Sequence, residues 1–406
     1  MMNSASILIV TFLCINLILL NSTKNLIQAN KFTILGVCLI AWPEVCTILV
    51  FRLHIALNEF AYVALRYIPC LVYAINLMLS TNKKKFFGLR IMIVVPSLIS
   101  LVFGFIEGQT ILYPIAWVAI VFPLLFDYSL SITSANIYRI GNISTVILAI
   151  SILIVVSINP DTVFAKCRVD KCNVFGSMLA PSGVQSNVLS LAFGLMIALT
   201  NRNNSFMWKV NNSLSLLLLA EMCGGRSGFY AGTACFIYLM ITSIRSRRQR
   251  FWRNSLLAIS TVVSLIPLFV NFEETSFTGR ANLWLYAKNL FSSSPLIGYG
   301  PSFWIRMPAT NLVQANYSPH NVWWELLIST GIVGTLSTVA AILYSLVTMN
   351  HDLQEIAIGL LVGILIAGFS EAMVMPYRLI IVPGFYILLV AITGCRSHNI
   401  RTESLN

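Results

Sequence analysis

The chain has 406 residues, of which 57% are apolar and only 10% charged, with a mean hydropathy of +0.83. Soluble domains run nearer to roughly 45–50% apolar and 25% charged, so a soluble globule is excluded. The net charge of +12, from 26 Lys and Arg against 14 Asp and Glu, would suggest nucleic acid in a soluble protein; here few charges remain outside the breaks between apolar runs, and their placement matters more than their sum. No nucleic-acid partner is expected.

A helix that crosses a hydrocarbon core of roughly 30 Å needs about 20 mostly apolar residues. Twelve or thirteen such runs follow one another, near residues 4–20, 33–51, 60–79, 88–107, 110–127, 141–158, 186–200, 212–223, 227–244, 254–271, 321–347, 354–370 and 378–395. They predict an all-α polytopic membrane protein of about 12–13 transmembrane helices, a single domain spanning residues 1–406 with the lipid bilayer as its solvent. The first run lacks the basic start and small-residue cleavage site of a signal peptide and reads as a retained span.

Short loops rich in Lys and Arg stay in the cytoplasm. The densest basic cluster, Arg245-Ser-Arg-Arg-Gln-Arg250 with Arg253, therefore faces inward, and this places 16 of the 26 basic residues on the same side. Two long loops then face outward, residues 159–185 and 272–320. Loops of that length are usually functional or disordered. Within the second, Leu283, Tyr286, Ala287 and Leu290 recur at helical spacing opposite Asn282 and Asn289, which predicts a short amphipathic helix along the membrane surface. Pro295-Leu-Ile-Gly-Tyr-Gly-Pro301 reads as tight turns bringing the chain back over the bundle.

Of nine cysteines, seven lie in or beside apolar runs and behave as small hydrophobes. Cys167 and Cys172 share the first outer loop; whether they pair in an oxidising exterior is left open by spacing alone. The chain has no C-x-x-C, H-E-x-x-H, P-loop or D-x-D motif, so no metal or cofactor is indicated.

With this sidedness, the ionisable residues of the outer face come from segments far apart in sequence. Arg226 sits in Cys223-Gly-Gly-Arg-Ser-Gly228, Arg280 in Thr278-Gly-Arg280 and His320 in Ser318-Pro-His-Asn321; Glu371 and Arg378 occupy the last outer turn. Paired arginines suit a diphosphate, because a planar guanidinium binds phosphate oxygens bidentately and stays charged. The neighbouring glycines let a bulky head group approach the backbone. Ser318 as N-cap and Pro319 as first helical residue would put His320 in a first helical turn, where the dipole disfavours imidazolium and a neutral ring can accept a hydroxyl proton. The plainer readings are snorkelling arginines at helix ends, a structural Glu371–Arg378 pair, small-residue packing at Cys223 and Ser227, and an interfacial aromatic belt at Trp323 and Trp324, with sugar stacking second for the tryptophans.

Three stretches, Ser276-Phe-Thr-Gly-Arg-Ala-Asn-Leu-Trp284, Ser294-Pro-Leu-Ile-Gly-Tyr-Gly-Pro301 and Pro319-His-Asn-Val-Trp-Trp-Glu-Leu-Leu-Ile-Ser-Thr-Gly-Ile-Val-Gly334, resemble in order and spacing the signature of the O-antigen ligase and polysaccharide polymerase superfamily. Gly225-Arg-Ser-Gly228 resembles its Arg-Ser element, and the specific motifs span residues 221–334. The resemblance implies a metal-independent, inverting glycosyltransferase of the GT-C-like membrane type. Its donor would be an undecaprenyl-diphosphate-linked glycan, its location the bacterial inner membrane with the site facing outward, and its partner, for a polymerase, a chain-length regulator. Carried over by motif, Arg226 and Arg280 hold the donor diphosphate and His320 activates the acceptor hydroxyl; Arg378, Glu371, Asn321 and Glu325 are the further candidate substrate-binding residues. His320-Asn321, three residues, then Glu325 is closer to repeat-unit polymerases of O-antigen, capsule or exopolysaccharide. Glu371 with Arg378 pulls toward ligases that transfer the glycan to lipid A core. A flippase for a lipid-linked sugar is the alternative from another class.

Overall fold

The computed structural model describes residues 2–21, 31–52, 65, 68–76, 85–86, 88–106, 118, 126–127, 132–158, 164–165, 177–178, 183–199, 205–244, 248–277, 279–300, 303–306, 318–373 and 382–393. Over these the chain is helical almost throughout. Helices α1 (Met2–Asn21) and α2 (Lys31–Arg52) fall on the first two predicted spans. A 3-10 segment, Gly88–Val94, leads into α3 (Val95–Ile106). Then come α4 (Ser134–Ile158), α5 (Gly183–Met196), α6 (Phe206–Met222), α7 (Arg226–Ser243) and α8 (Gln249–Phe269). The long loop carries α9 (Arg280–Phe291) and the single turn α10 (Phe303–Arg306), and α11 (Val322–Thr348), α12 (His351–Gly368) and α13 (Pro383–Thr393) follow. Two antiparallel ladders of two residues a side pair β1 (Lys85–Phe86) with β2 (Phe126–Asp127) and β3 (Phe164–Ala165) with β4 (Ser177–Met178). They tie loops and leave the all-α class unchanged.

Helices α4, α8 and α11 are each long and apolar enough to cross a membrane, and shorter apolar helices surround them, so the fold is that of an all-α membrane protein. Of the predicted run near 110–127 only residues 118 and 126–127 are described, and Cys167, Cys172 and Arg378 lie outside the described residues. The three long helices hold different stations. In its most apolar window α4 is 72% buried and α8 only 17%, so α4 is a central strut and α8 a peripheral one, with Ile259, Val262 and Phe269 exposed as for contact with lipid.

Between apolar helices in lipid there is little hydrophobic drive, so close packing of small residues supplies the attraction. Gly228 and Gly232 of α7 face Ser190 and Gly194 of α5: a Cβ on Gly194 would lie 2.2 Å from the Gly228 carbonyl oxygen, and one on Gly228 would lie 2.2 Å from Ser190 Oγ. On its other side α7 meets α12, where Gly359 and Gly363 take Tyr238 and Cys235. The pairing order makes α5 and α7 parallel and α12 antiparallel to both. The first turns of α5 and α7 and the end of α12 therefore share one end of the bundle. Ser190 reinforces this, its hydroxyl lying 2.8 Å from the Ala220 carbonyl and 2.6 Å from that of Gly225, across the turn from α6 to α7.

The Pro295–Gly300 turns do more than cross the bundle. Helix α11 is broken at Gly331, whose φ of 65° and ψ of −167° lie in a region open essentially to glycine. The loop docks into the break. Ile332 N–H donates to the Pro295 carbonyl at 2.8 Å, Val333 N–H to that of Leu296 at 3.1 Å, and Tyr299 N–H to that of Ile328 at 2.7 Å. Amides freed by the kink are thus satisfied by the loop, as buried backbone requires. A side chain at Gly331 would meet the Leu296 carbonyl oxygen at 2.1 Å. The strap couples α9, which begins at Arg280, to α11, which begins just after His320.

Candidate functional site

Five chain segments converge at that end of the bundle. Glu371 is the hub. Helix α12 stops at Gly368, and the chain turns through amide bonds from Ser370 and Glu371 back to the Ala367 carbonyl, at 3.0 and 2.9 Å. This turn puts the Glu371 carboxylate, 0% exposed, among the starts of α5, α7, α9 and α11. Its Oε1 accepts from Arg280 Nη2 at 2.8 Å, Asn187 Nδ2 at 2.9 Å and Ser227 Oγ at 3.4 Å. Its Oε2 lies 3.0 Å from His320 Nδ1.

Burial alone would raise the pKa of this carboxyl. The Arg280 charge, the His320 ring and the hydrogen bonds from both outweigh burial and hold it down at about 2. Glu371 is therefore a carboxylate, and an ionised carboxylate oxygen only accepts. The contact with Oε2 requires Nδ1 of His320 to carry the hydrogen, so in the ring's neutral form the lone pair lies on Nε2. A histidine oriented by a buried carboxylate, with its far nitrogen basic, is the arrangement that lets imidazole take a proton from a hydroxyl.

His320 reaches this position by a different route from the one its flanking residues suggest. Helix α11 is capped by Asn321, not Ser318: Asn321 Oδ1 accepts from the amides of Trp323 and Trp324 at 3.1 and 3.0 Å. His320 lies one residue before the cap, at φ 49°, outside the helix. Carboxylate pairing rather than a first-turn position sets its tautomer. The left-handed backbone turns its side chain back toward α12.

Arg280 is the first residue of α9, entered through Gly279 at φ 80°, where an added Cβ would have nothing within 4 Å. One nitrogen of its guanidinium bonds Glu371 and another the Ser370 carbonyl. Arg226 is the first residue of α7, is exposed, and lies within electrostatic reach of Glu221. Both arginines line a cavity of about 430 Å³ whose polar wall also includes Asn187, Ser227 and Glu371; Val263, Ile366, Phe277 and Phe369 form much of its apolar wall. The volume falls in the usual range for small-molecule sites. Cationic on one wall and apolar on another, the cavity suits an amphiphilic anion.

The structure thus brings together Arg226, Arg280, His320 and Glu371. Glu371 pairs with Arg280 and His320; Arg378, the partner expected for it on the plainer reading, lies outside the described residues. Asn321 is fully buried, and its Nδ2 lies 3.0–3.3 Å from the carbonyls of Gly368, Phe369 and Ser264; it braces α8, α11 and α12 against one another. Glu325, also fully buried, is approached by Ser329 Oγ at 3.4 Å and does not line the cavity. The tryptophans are no aromatic belt: Trp324 is 3% exposed with its indole N–H on the Pro267 carbonyl, and that of Trp323 donates to Ser264 Oγ. Both fasten α11 to α8. Two residues escaped the sequence reading. Asn187 carries no mark in its local pattern and Ser227 reads as packing, because nothing near either announces a carboxylate arriving from 184 or 144 residues away.

The fold and site define a helical membrane protein with a cationic, partly apolar cavity and a carboxylate-oriented histidine at one end of its bundle. Residues 212–339 match the family model described as O-antigen ligase, and this match supports the likeness to the O-antigen ligase and polymerase superfamily drawn from the motifs. Arg226, Arg280 and His320 fall inside the matched stretch; Asn187 and Glu371 fall outside it. No curated protein matches the chain.

Proposed function

We propose that the protein is an inverting glycosyltransferase of the inner membrane that moves a glycan from an undecaprenyl-diphosphate carrier to an acceptor hydroxyl, with its cavity facing outward. The observation that carries this reading is Glu371, fully buried and bridging Arg280 to His320 beside a cavity that Arg226 also lines. The acceptor oxygen bonds to the anomeric carbon as the bond from that carbon to the diphosphate oxygen breaks, and the hydroxyl proton passes to His320 Nε2. The diphosphate gains negative charge as it leaves, so prepositioned guanidinium groups stabilise the transition state more than the ground state. Glu371 holds the imidazole in its tautomer and balances the imidazolium that forms. With arginines in the role of a cation, turnover persists in a chelator.

Within this chemistry we favour a polymerase that transfers the growing chain onto an incoming lipid-linked repeat unit, because His320-Asn321 followed by Glu325 is the polymerase-like spacing. The ligase reading is favoured by the description of the matching family. Replacing His320 by Ala in the native strain and running the surface glycan on a gel separates them. A lost polymerase leaves single repeat units on the acceptor, a lost ligase leaves no glycan on the acceptor and strands it on the carrier, and an unchanged ladder sinks both. Purified protein that lengthens a synthetic donor without an energy source rules out flipping as its main task.

A further inference from the structure

Among the groups of the cavity wall that the proposed chemistry does not use is Phe277. Phe277 is a bulky residue held at φ 54°, in a region that such residues seldom occupy, and its side chain lines the cavity while remaining 39% exposed. Its ring is braced by other aromatics: Phe272 edge-on at 5.0 Å, Phe369 edge-on at 5.2 Å and Trp284 tilted at 5.2 Å. Phe369 and Trp284 also contact Phe272 and each other. A ring held this way loses little freedom when a ligand settles on it.

Resting on the glycosyltransferase reading above, we infer that Phe277 is a stacking platform for the sugar ring nearest the donor diphosphate, and so a residue that positions and selects the transferred glycan. The C–H edges of a pyranose carry partial positive charge and suit the negative face of an aromatic ring. Location favours the sugar over the prenyl chain. Phe277 belongs to the outer loop after α8 and follows the exposed Glu273 and Glu274, where hydrocarbon would be poorly placed. Val263, six residues before the end of α8, lies about 9 Å deeper along the helix, and with Ile366 it provides an apolar wall on membrane helices. Arg280, three residues after Phe277, and Arg226 mark the diphosphate's place on the same cavity. Trp323 and Trp324, the stacking candidates by sequence, are engaged in fastening α11 to α8.

The test is equilibrium binding of two ligands to the full-length protein in nanodiscs: undecaprenyl diphosphate bearing its oligosaccharide, and the same prenyl diphosphate without sugar. Phe277→Leu keeps an apolar side chain and removes the ring; Phe277→Tyr keeps the ring. We expect Phe277→Leu to weaken the glycan-bearing ligand roughly threefold to tenfold with the sugar-free affinity unchanged, and Phe277→Tyr to bind both as the wild type does. Retained sugar-free affinity also reports that the variant is folded. Equal weakening of both ligands, or no weakening of either, overturns the inference. A wild-type protein that binds neither ligand overturns the glycosyltransferase reading itself, an outcome distinct from the others.

Discussion

Among the described residues, two of the polar networks that join helices differ in kind. Between α1 and α6 the groups are neutral. Asn16 donates to Asn211 Oδ1 at 3.1 Å and contacts Ser215 Oγ at 2.9 Å, Asn21 donates to Asn212 Oδ1 at 2.8 Å, and the Trp208 indole donates to the Leu20 carbonyl at 3.0 Å. Around Glu371 the groups are ionic and open on a cavity. The amide network joins two helices without carrying charge, whereas a buried carboxylate incurs a desolvation cost that stability alone rarely justifies. Charge beside a cavity, rather than burial or hydrogen bonding as such, separates the network proposed to act in transfer from the one that joins helices.

That contrast is open to direct attack. Glu371→Gln keeps the shape of the hub and removes its charge, so it frees the tautomer of His320 and unpairs Arg280; glycan transfer by purified protein should fall by about 10³–10⁴. Retention of more than a tenth of wild-type turnover would make the Glu371 network merely adhesive. Arg226→Lys and Arg280→Lys keep charge but lose the planar fork, and each should lower turnover by about 10²–10³, read as initial rates at saturating donor.

The strap comes next. Gly331→Ala forces a side chain onto the Leu296 carbonyl in a conformation closed to alanine, with an expected stability loss of about 2–4 kcal/mol, seen as a lower unfolding midpoint in detergent. Because the strap links α9 to α11, turnover should fall with it even below the unfolding temperature.

A pH test distinguishes the ionic network from the neutral one. The folded-state pKa of Glu371 is depressed, to about 2 from an ordinary 4.5, so its stabilising contribution is fully present above the ordinary value and is lost as pH falls through the folded value. The stability difference between wild type and Glu371→Gln should shrink between about pH 4.5 and 2, read as unfolding midpoints across that window; a difference that does not change there would assign the effect to another group. The smallest effect is expected at Asn16→Ala, about 0.6 kcal/mol by the usual value of interhelical hydrogen bonds in membranes, with turnover unchanged.

Much of this was legible in the sequence because membranes impose a strong local code. Apolar runs such as those of α1, α2 and α4 show their spans by length alone, since every backbone group in hydrocarbon must be paired within the helix. Arg226, Arg280 and His320 stood out because glycine, arginine and helix-start chemistry lie within a few residues of one another. The sequence reads Ser318 as the N-cap and the structure has Asn321, because capping depends on which side chain faces the first amides, and sequence offers two candidates three residues apart. The loop at Pro295–Gly300 read as turns, and its docking into α11 was hidden because Gly331 looks like any small residue in a membrane helix.

Composition and pattern by themselves determined that the chain is a helical membrane protein, which residues are cationic at one of its faces, and which family residues 221–334 resemble. Tertiary structure alone decided what those residues do to one another. Glu371 took Arg280 and His320 as partners, Asn187 and Ser227 joined it on the same oxygen as Arg280, Asn321 and Glu325 were buried away from the cavity, and Phe277 became part of the cavity wall. The physical reason is range: hydrophobic burial and backbone pairing are written over tens of consecutive residues, whereas a carboxylate's partners are chosen by which helix ends the small-residue contacts of α5, α7 and α12 bring within 3 Å.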